Sequence, residues 1–392
     1  MKAKPDTVAG KKFVIIGVHG WFPAKLVRSV MGEPTGTSAK FCEQTAKSLQ
    51  QYFEQEHDLV LPMNCMTLIP LQWEGKVQER VEKLYSFLVD NPATLDALQS
   101  ADAIFWTTHS QGTPVSAILL HRLIQNKIIQ LKKQPICLLA MAGIAHGPFA
   151  SLKGSLIVKY FEADAARELF EFMDPSSEIS EVFRQAMAYI LQQGVKTILV
   201  GSMQDQVVPL YSAIMVATEH PNILRAIYID GHVYSPDDFL INLIVFALRL
   251  RNAGLSDHGL LLHISDVLAG NLYAWEGGHS TIYEETSVYK LAPHYLFDTS
   301  PLGGLLPNHQ ENHTTTRTST MVEAKSELFH TKVRLNPYYL TWAMRGIFDD
   351  VRVIQVFGDQ LDRLRILFDQ WHPTSSKLRE IKFRLEPIKA RL

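Results

Sequence analysis

The stretch AIFWTTHSQGTPVSAILL, residues 103–120, decides how this chain is read. Residues 103–108 (AIFWTT) are apolar, aromatic or β-branched without alternation, which suits a strand buried on both faces. Residues 114–130 follow with a helical pattern. Between them sits Thr108-His109-Ser110-Gln111-Gly112. A serine on a sharp strand-to-helix turn is lifted out for attack, and the strained turn needs small neighbours. Gly112 meets that need, whereas Thr108 stands where the usual pattern has glycine. Ser110 is therefore the candidate nucleophile.

Working outward, the same alternation repeats. Strands are expected at residues 12–18 (KFVIIGV), 66–73, 136–142, 197–201 and 223–229, and helices at 39–55, 75–89 and 180–193. This order predicts an α/β fold with a mostly parallel central sheet and helices on both faces. An α/β domain is expected over residues 1–300, interrupted by an insertion at about 149–183 that would cap the site as a lid. Residues 308–332, rich in Thr, His and Ser, read as a flexible loop, and 333–392 as a helical C-terminal extension.

The chain has 392 residues, 46% of them apolar, a globular composition. Lys+Arg total 38 against 40 Asp+Glu, so the net charge of −2 gives no whole-chain attraction to nucleic acid. Three cysteines, Cys42, Cys65 and Cys137, exclude a disulfide scaffold, point to a reducing compartment and lack zinc spacing. No targeting segment is visible at the start. The most apolar stretch, FLINLIVFALRL at 239–250, falls short of the roughly 20 residues of a membrane span. A cytoplasmic protein is expected, with peripheral membrane contact through the basic C-terminal tail left open.

Two further motifs end strand candidates. His19-Gly20-Trp21 closes the first, where the loop after an early strand supplies one backbone N–H to an oxyanion hole. Trp21 would give that N–H, and Gln111, the residue after the serine, the other. Gly201-Ser-Met-Gln-Asp205-Gln-Val-Val-Pro209 closes a later strand, and an acid there can hold the tautomer of a catalytic histidine. The residues leave two bases open. His232 follows the last strand candidate directly, and His279 lies in a Gly-Gly-His loop further on. His109 points away from the serine if the turn is an elbow, and is read as a packing or pocket-wall residue.

VHGW at 18–21, THSQG at 108–112 and GSMQDQVVP at 201–209 resemble the α/β-hydrolase superfamily in its lipase and esterase branch, some lipases of which also carry Thr before the serine motif. GEPTGTS at 32–38, GGHSTIYEE at 277–285, LNPYYLTWAMRG at 335–346 and the closing KFRLEPIKARL resemble a group of fungal lipase-like proteins. The resemblance implies a serine hydrolase acting on carboxylic esters of lipid or other acyl groups. It favours His279 as the base, giving a triad of Ser110, Asp205 and His279. A non-catalytic scaffold on the same fold, or a thioesterase or acyltransferase with the same triad, are the alternatives. Trp21, Phe22, Pro148 and Phe149 fall where a pocket would form. No cofactor is called for. His309 and His313 lack the glutamate that zinc proteases place after the first histidine, and there is no phosphate-binding glycine loop.

Overall fold

The computed structural model describes residues 10–21, 37–154, 164–229, 235–268, 278–299, 323–329, 336 and 338–386. Six strands form the sheet: β1 (Phe13–Val18), β2 (Met66–Leu71), β3 (Ala103–His109), β4 (Ile136–Met141), β5 (Lys196–Ser202) and β6 (Ile223–Tyr228). Their spatial order is β2-β1-β3-β4-β5-β6, and every pairing is parallel. The expected α/β class with helices on both faces is what the chain adopts. A separate antiparallel pair joins Thr218–Glu219 to Lys325–Ser326.

The central strands carry no polar face because both of their faces are covered. Phe13, Ile15, Phe105 and Leu139 point into one core with Phe41, Leu49 and Tyr289, from helices Thr37–His57 and Thr286–Asp298. Val14, Ile16, Trp106 and Leu138 point the other way, onto Val81, Leu119 and Ile190 from helices Val77–Asp90, Gly112–Gln125 and Glu178–Gln192. Each fully buried Leu, Ile or Phe contributes on the order of 2 kcal/mol. Trp106 is wholly buried, and its indole N–H donates to Ser116 Oγ at 2.9 Å, so no polar atom is stranded.

The sheet order reverses direction between β1 and β3. The chain steps from β1 outward to β2, then returns to lay β3 on the other side of β1. Helices diverge at such a point and open a crevice at the carboxyl ends of the strands. Those ends are His19-Gly20-Trp21 and Ser110.

The apolar stretch at 239–250 forms helix Phe239–Asn252, buried in a third core with Met203 and Leu210 beside β5. Helices Tyr339–Asp349, Val351–Gln370 and Ser376–Leu385 close over it, with Phe246 against Phe357 and Phe239 against Phe368 and Trp371. Among the described residues no helix is long and apolar enough to cross a membrane.

Some local detail differs from expectation. Helix Pro92–Ser100 starts with Asn91 Oδ1 accepting from Ala93 N and Thr94 N, a cap that nine residues of weak pattern conceal. The insertion ends in the sheet-covering helix Glu178–Gln192, which Ser177 caps. Its residues 155–163, and most of the 308–332 loop with His309 and His313, lie outside the described residues.

Lys196, at the start of β5, joins the sheet to helix Thr286–Asp298. Its ammonium donates to the carbonyls of Tyr295 (2.9 Å), Leu296 (3.1 Å) and Thr299 (2.6 Å) and to Thr299 Oγ1 (2.8 Å). Helix-end carbonyls lack partners within the helix, and a cation there also meets the negative end of the dipole. Lys196→Met should therefore cost about 2 kcal/mol, because the stem still packs while buried carbonyls lose their donor. Urea unfolding checks this, and an unchanged midpoint would remove the role.

Candidate active site

Ser110 has a backbone φ of 53°, in the left-handed region. That conformation is strained for a serine by on the order of 1–3 kcal/mol and survives only where the surroundings dictate it. Here Ser110 N–H donates to Met141 O of β4 at 3.0 Å, and Ser110 O accepts from Thr113 N at 3.0 Å as the helix begins. The serine is lifted off the end of β3 onto the N-terminus of helix Gly112–Gln125. Gly112 cannot carry a side chain, since a Cβ would lie 2.5 Å from Thr108 Oγ1 and 2.6 Å from Val18 O. This accounts for Thr108 in a glycine position: its hydroxyl donates to Val18 O at 3.2 Å, and Gly112 leaves it room. A Cβ on Gly20 would sit 2.8 Å from Ser110 Cβ, so the loop after β1 passes directly against the serine.

Asp205 follows β5 and is almost wholly buried. Its Oδ1 accepts from Val207 N and Val208 N, both at 2.8 Å, which fixes the carboxylate plane. Its Oδ2 is 2.8 Å from His279 Nδ1. A carboxylate only accepts, so Nδ1–H donates to it, and Nε2 is the ring nitrogen that this bond does not use. His279 is the second residue of the short helix Gly278–Thr281. His232 lies outside the described residues.

His109 holds His279 from behind. Its Nε2–H donates to His279 O at 2.8 Å, and the two rings lie 4.5 Å apart. His109 is packed against Phe41 and Tyr283, and burial, followed by the neighbouring His279, pushes its pKa well below the ordinary range. The residue beside the serine thus holds the loop that carries His279 as well as packing in the wall. Among the described residues no hydrogen bond joins Ser110 Oγ to His279; such contacts commonly tighten only when substrate arrives.

The loop after β1 is fixed from two sides. His19 N–H donates to Ser38 Oγ (3.1 Å), whose own hydroxyl donates to Leu71 O (2.7 Å). His19 O accepts from Arg80 Nη2 at 2.8 Å. Arg80 Nη1 donates to Gln111 Oε1 at 2.8 Å, and Gln111 Nε2 to Gly75 O at 3.1 Å. Arg80 is fully buried. Trp21 packs with Ile144, Leu169, Val208 and Ala213, an apolar cluster drawn from the chain after β1, β4 and β5 and from the insertion. Phe22 lies outside the described residues. Among the described residues no group of His, Cys, Asp or Glu is arranged to hold a metal ion.

A family model of the YMC0/YMC35 alpha/beta hydrolase domain matches residues 1–351. The chain belongs to that family. Among solved structures it is similar to phospholipase PlaB from Legionella pneumophila, at 17% identity and a TM-score of 0.32 over 53% of this chain. The match spans 46% of that protein, less than half its length. Comparison with curated proteins found no match.

For this YMC0/YMC35-type domain, the structure brings His279 to Asp205 and Gly20 to Ser110. Arg80 was not foreseen. Its signal was available: it lies on the buried stripe Val77, Arg80, Val81, Leu84, Leu88, where a solvated residue does not belong.

Burial also sets the acid behaviour of the α/β-hydrolase domain. It lowers the pKa of His19 to about 4 and that of His146 to about 3, with Arg80 and Arg184 respectively adding to the effect. An unfolded histidine titrates near 6.5. Below that pH the unfolded chain binds protons that the fold refuses, so stability is fully present above about pH 6.5 and falls towards pH 4. Each histidine should remove about 1 kcal/mol by pH 5.5. Urea midpoints should drop between pH 7.5 and 5.5, and His146→Gln should flatten that drop. A midpoint independent of pH would contradict the assignment.

Proposed function

We propose that this chain is a serine hydrolase that cleaves carboxylic esters of apolar acyl groups. The observation that carries this reading is the Asp205–His279 bond at the carboxyl edge of a sheet whose β3 ends in the strained Ser110. Ser110 Oγ attacks the ester carbonyl while His279 Nε2 takes its proton. Asp205 holds the tautomer and stabilises the imidazolium that forms. The tetrahedral oxyanion is met by the amides of Trp21 and Gln111, and each such donor is worth roughly 3 kcal/mol of barrier. The N-terminus of helix Gly112–Gln125 adds its positive dipole end at the same place. His279 then returns the proton to the leaving alcohol, and water repeats the sequence on the acyl-enzyme.

The acyl side follows from the cluster of Trp21, Ile144, Leu169, Val208 and Ala213. Leu169 belongs to the insertion, which we assign as the cap of the site. Its described part is anchored: Leu169 and Phe172 are buried, and Glu168 Oε2 accepts from Val77 N at 2.7 Å at the start of the Arg80 helix.

Ser110→Ala should abolish hydrolysis of a p-nitrophenyl acyl ester while leaving circular dichroism native. Asp205→Asn should lower kcat by about 10⁴, since the imidazole loses the acceptor that sets its tautomer. Full turnover by Ser110→Ala would end this reading.

A further inference from the structure

We infer that Arg80 is the positioning residue of the oxyanion hole and the fixed positive charge behind it. This rests on the ester-hydrolase reading above and names how that site is held.

Arg80 is a guanidinium with no exposed surface. Among the described residues it forms no ion pair, and its Nε has no hydrogen-bond partner. Buried charges are normally paired, because water solvates an ion far better than a protein interior does. Burial brings the Arg80 pKa down to about 10, so the group stays protonated at neutral pH. Among the described residues the fold therefore keeps in its interior a cation with no ion pair, on which Glu74 is the carboxylate that acts electrostatically.

Its two donor ends point to one use. Nη2 takes His19 O, in the loop that leads through Gly20 to Trp21. Nη1 takes the side chain of Gln111, the residue after the serine. The two proposed oxyanion amides come from the ends of different strands, β1 and β3, and a single rigid planar group spans both attachments. Gln111 is held at its other amide end by Gly75 O, so its backbone has little freedom to turn.

Hydrogen bonding alone does not require the charge, since a neutral amide also donates to carbonyl oxygens. The charge gains a further counter-ion when the ester carbonyl becomes an oxyanion between Trp21 and Gln111. An interaction that is stronger in the transition state than in the resting complex raises kcat and leaves KM nearly unchanged. A residue needed only for folding would instead lower the amount of active protein.

The test is steady-state hydrolysis of p-nitrophenyl butyrate by wild type, Arg80→Lys, Arg80→Met, Arg80→Gly and Ser110→Ala, with thermal unfolding of each. Arg80→Met should lose about 100-fold in kcat with KM within about threefold, the size of loss seen when oxyanion stabilisation is removed. Arg80→Lys keeps the charge without the two-ended span, and should lie about tenfold below wild type. In Arg80→Gly, added guanidinium ion should restore turnover, and methylammonium less so. A folded Arg80→Met with wild-type kcat overturns the inference, as does a loss that scales only with the folded fraction. If Arg80→Met does not fold, Arg80→Lys at wild-type kcat overturns it. Turnover surviving in Ser110→Ala removes the ester-hydrolase reading itself. A dead Ser110→Ala beside fully active Arg80 variants removes this inference alone.

Discussion

The left-handed turn at Ser110 is the constraint on which the surrounding structure depends. A φ of 53° at a serine is unfavourable by itself. It holds because β4 takes the serine's amide, the following helix takes its carbonyl, and Gly112 and Gly20 let two backbones approach without a Cβ between them. Both glycines face the ends of β1 and β3, the pair at which the sheet order reverses. Sheet topology, local strain and the placement of the serine are thus one arrangement seen at three scales.

Around that turn the polar groups form two clamps. On the His279 side, Asp205 uses one oxygen to fix itself through Val207 and Val208 and the other to hold His279, while His109 secures the backbone of the same loop. On the opposite side, Ser38 and Arg80 grip His19 from its amide and its carbonyl. Lys196 does a similar service further out, tying β5 to the helix that follows the His279 loop. Buried cations in this molecule serve as multi-ended fasteners for carbonyl oxygens, a use suited to groups with several donors and no acceptor.

Much of this was legible in the residues. The strands starting at Phe13, Ala103, Ile136 and Ile223 were visible because unbroken apolar runs of that length fit covered parallel strands. Asp205 was visible because an acid at the carboxyl end of a late strand, after Ser110 in the chain, can hold the tautomer of a histidine, even though it also caps the next turn through Val207 N and Val208 N. The choice between His232 and His279 was not settled by spacing, since loop length alone does not say which imidazole folds back. Arg80 was hidden by its neighbours: in VQERVEKLYSFLVD it looks like one of several charges on a solvated helix face, and only its register with Val77 and Leu84 separates it from them. Lys196 was hidden likewise, because a lysine at a strand end is usually solvated, and its three carbonyl partners lie about 100 residues away.

The central claim is that the strained serine is chemically activated by its surroundings. Incubation of the folded protein with a fluorophosphonate, followed by peptide mapping of the adduct by mass spectrometry, addresses it most directly. A single adduct on the peptide that contains Ser110, absent from heat-unfolded protein, is the predicted result. No adduct, or one on a different serine, would contradict it.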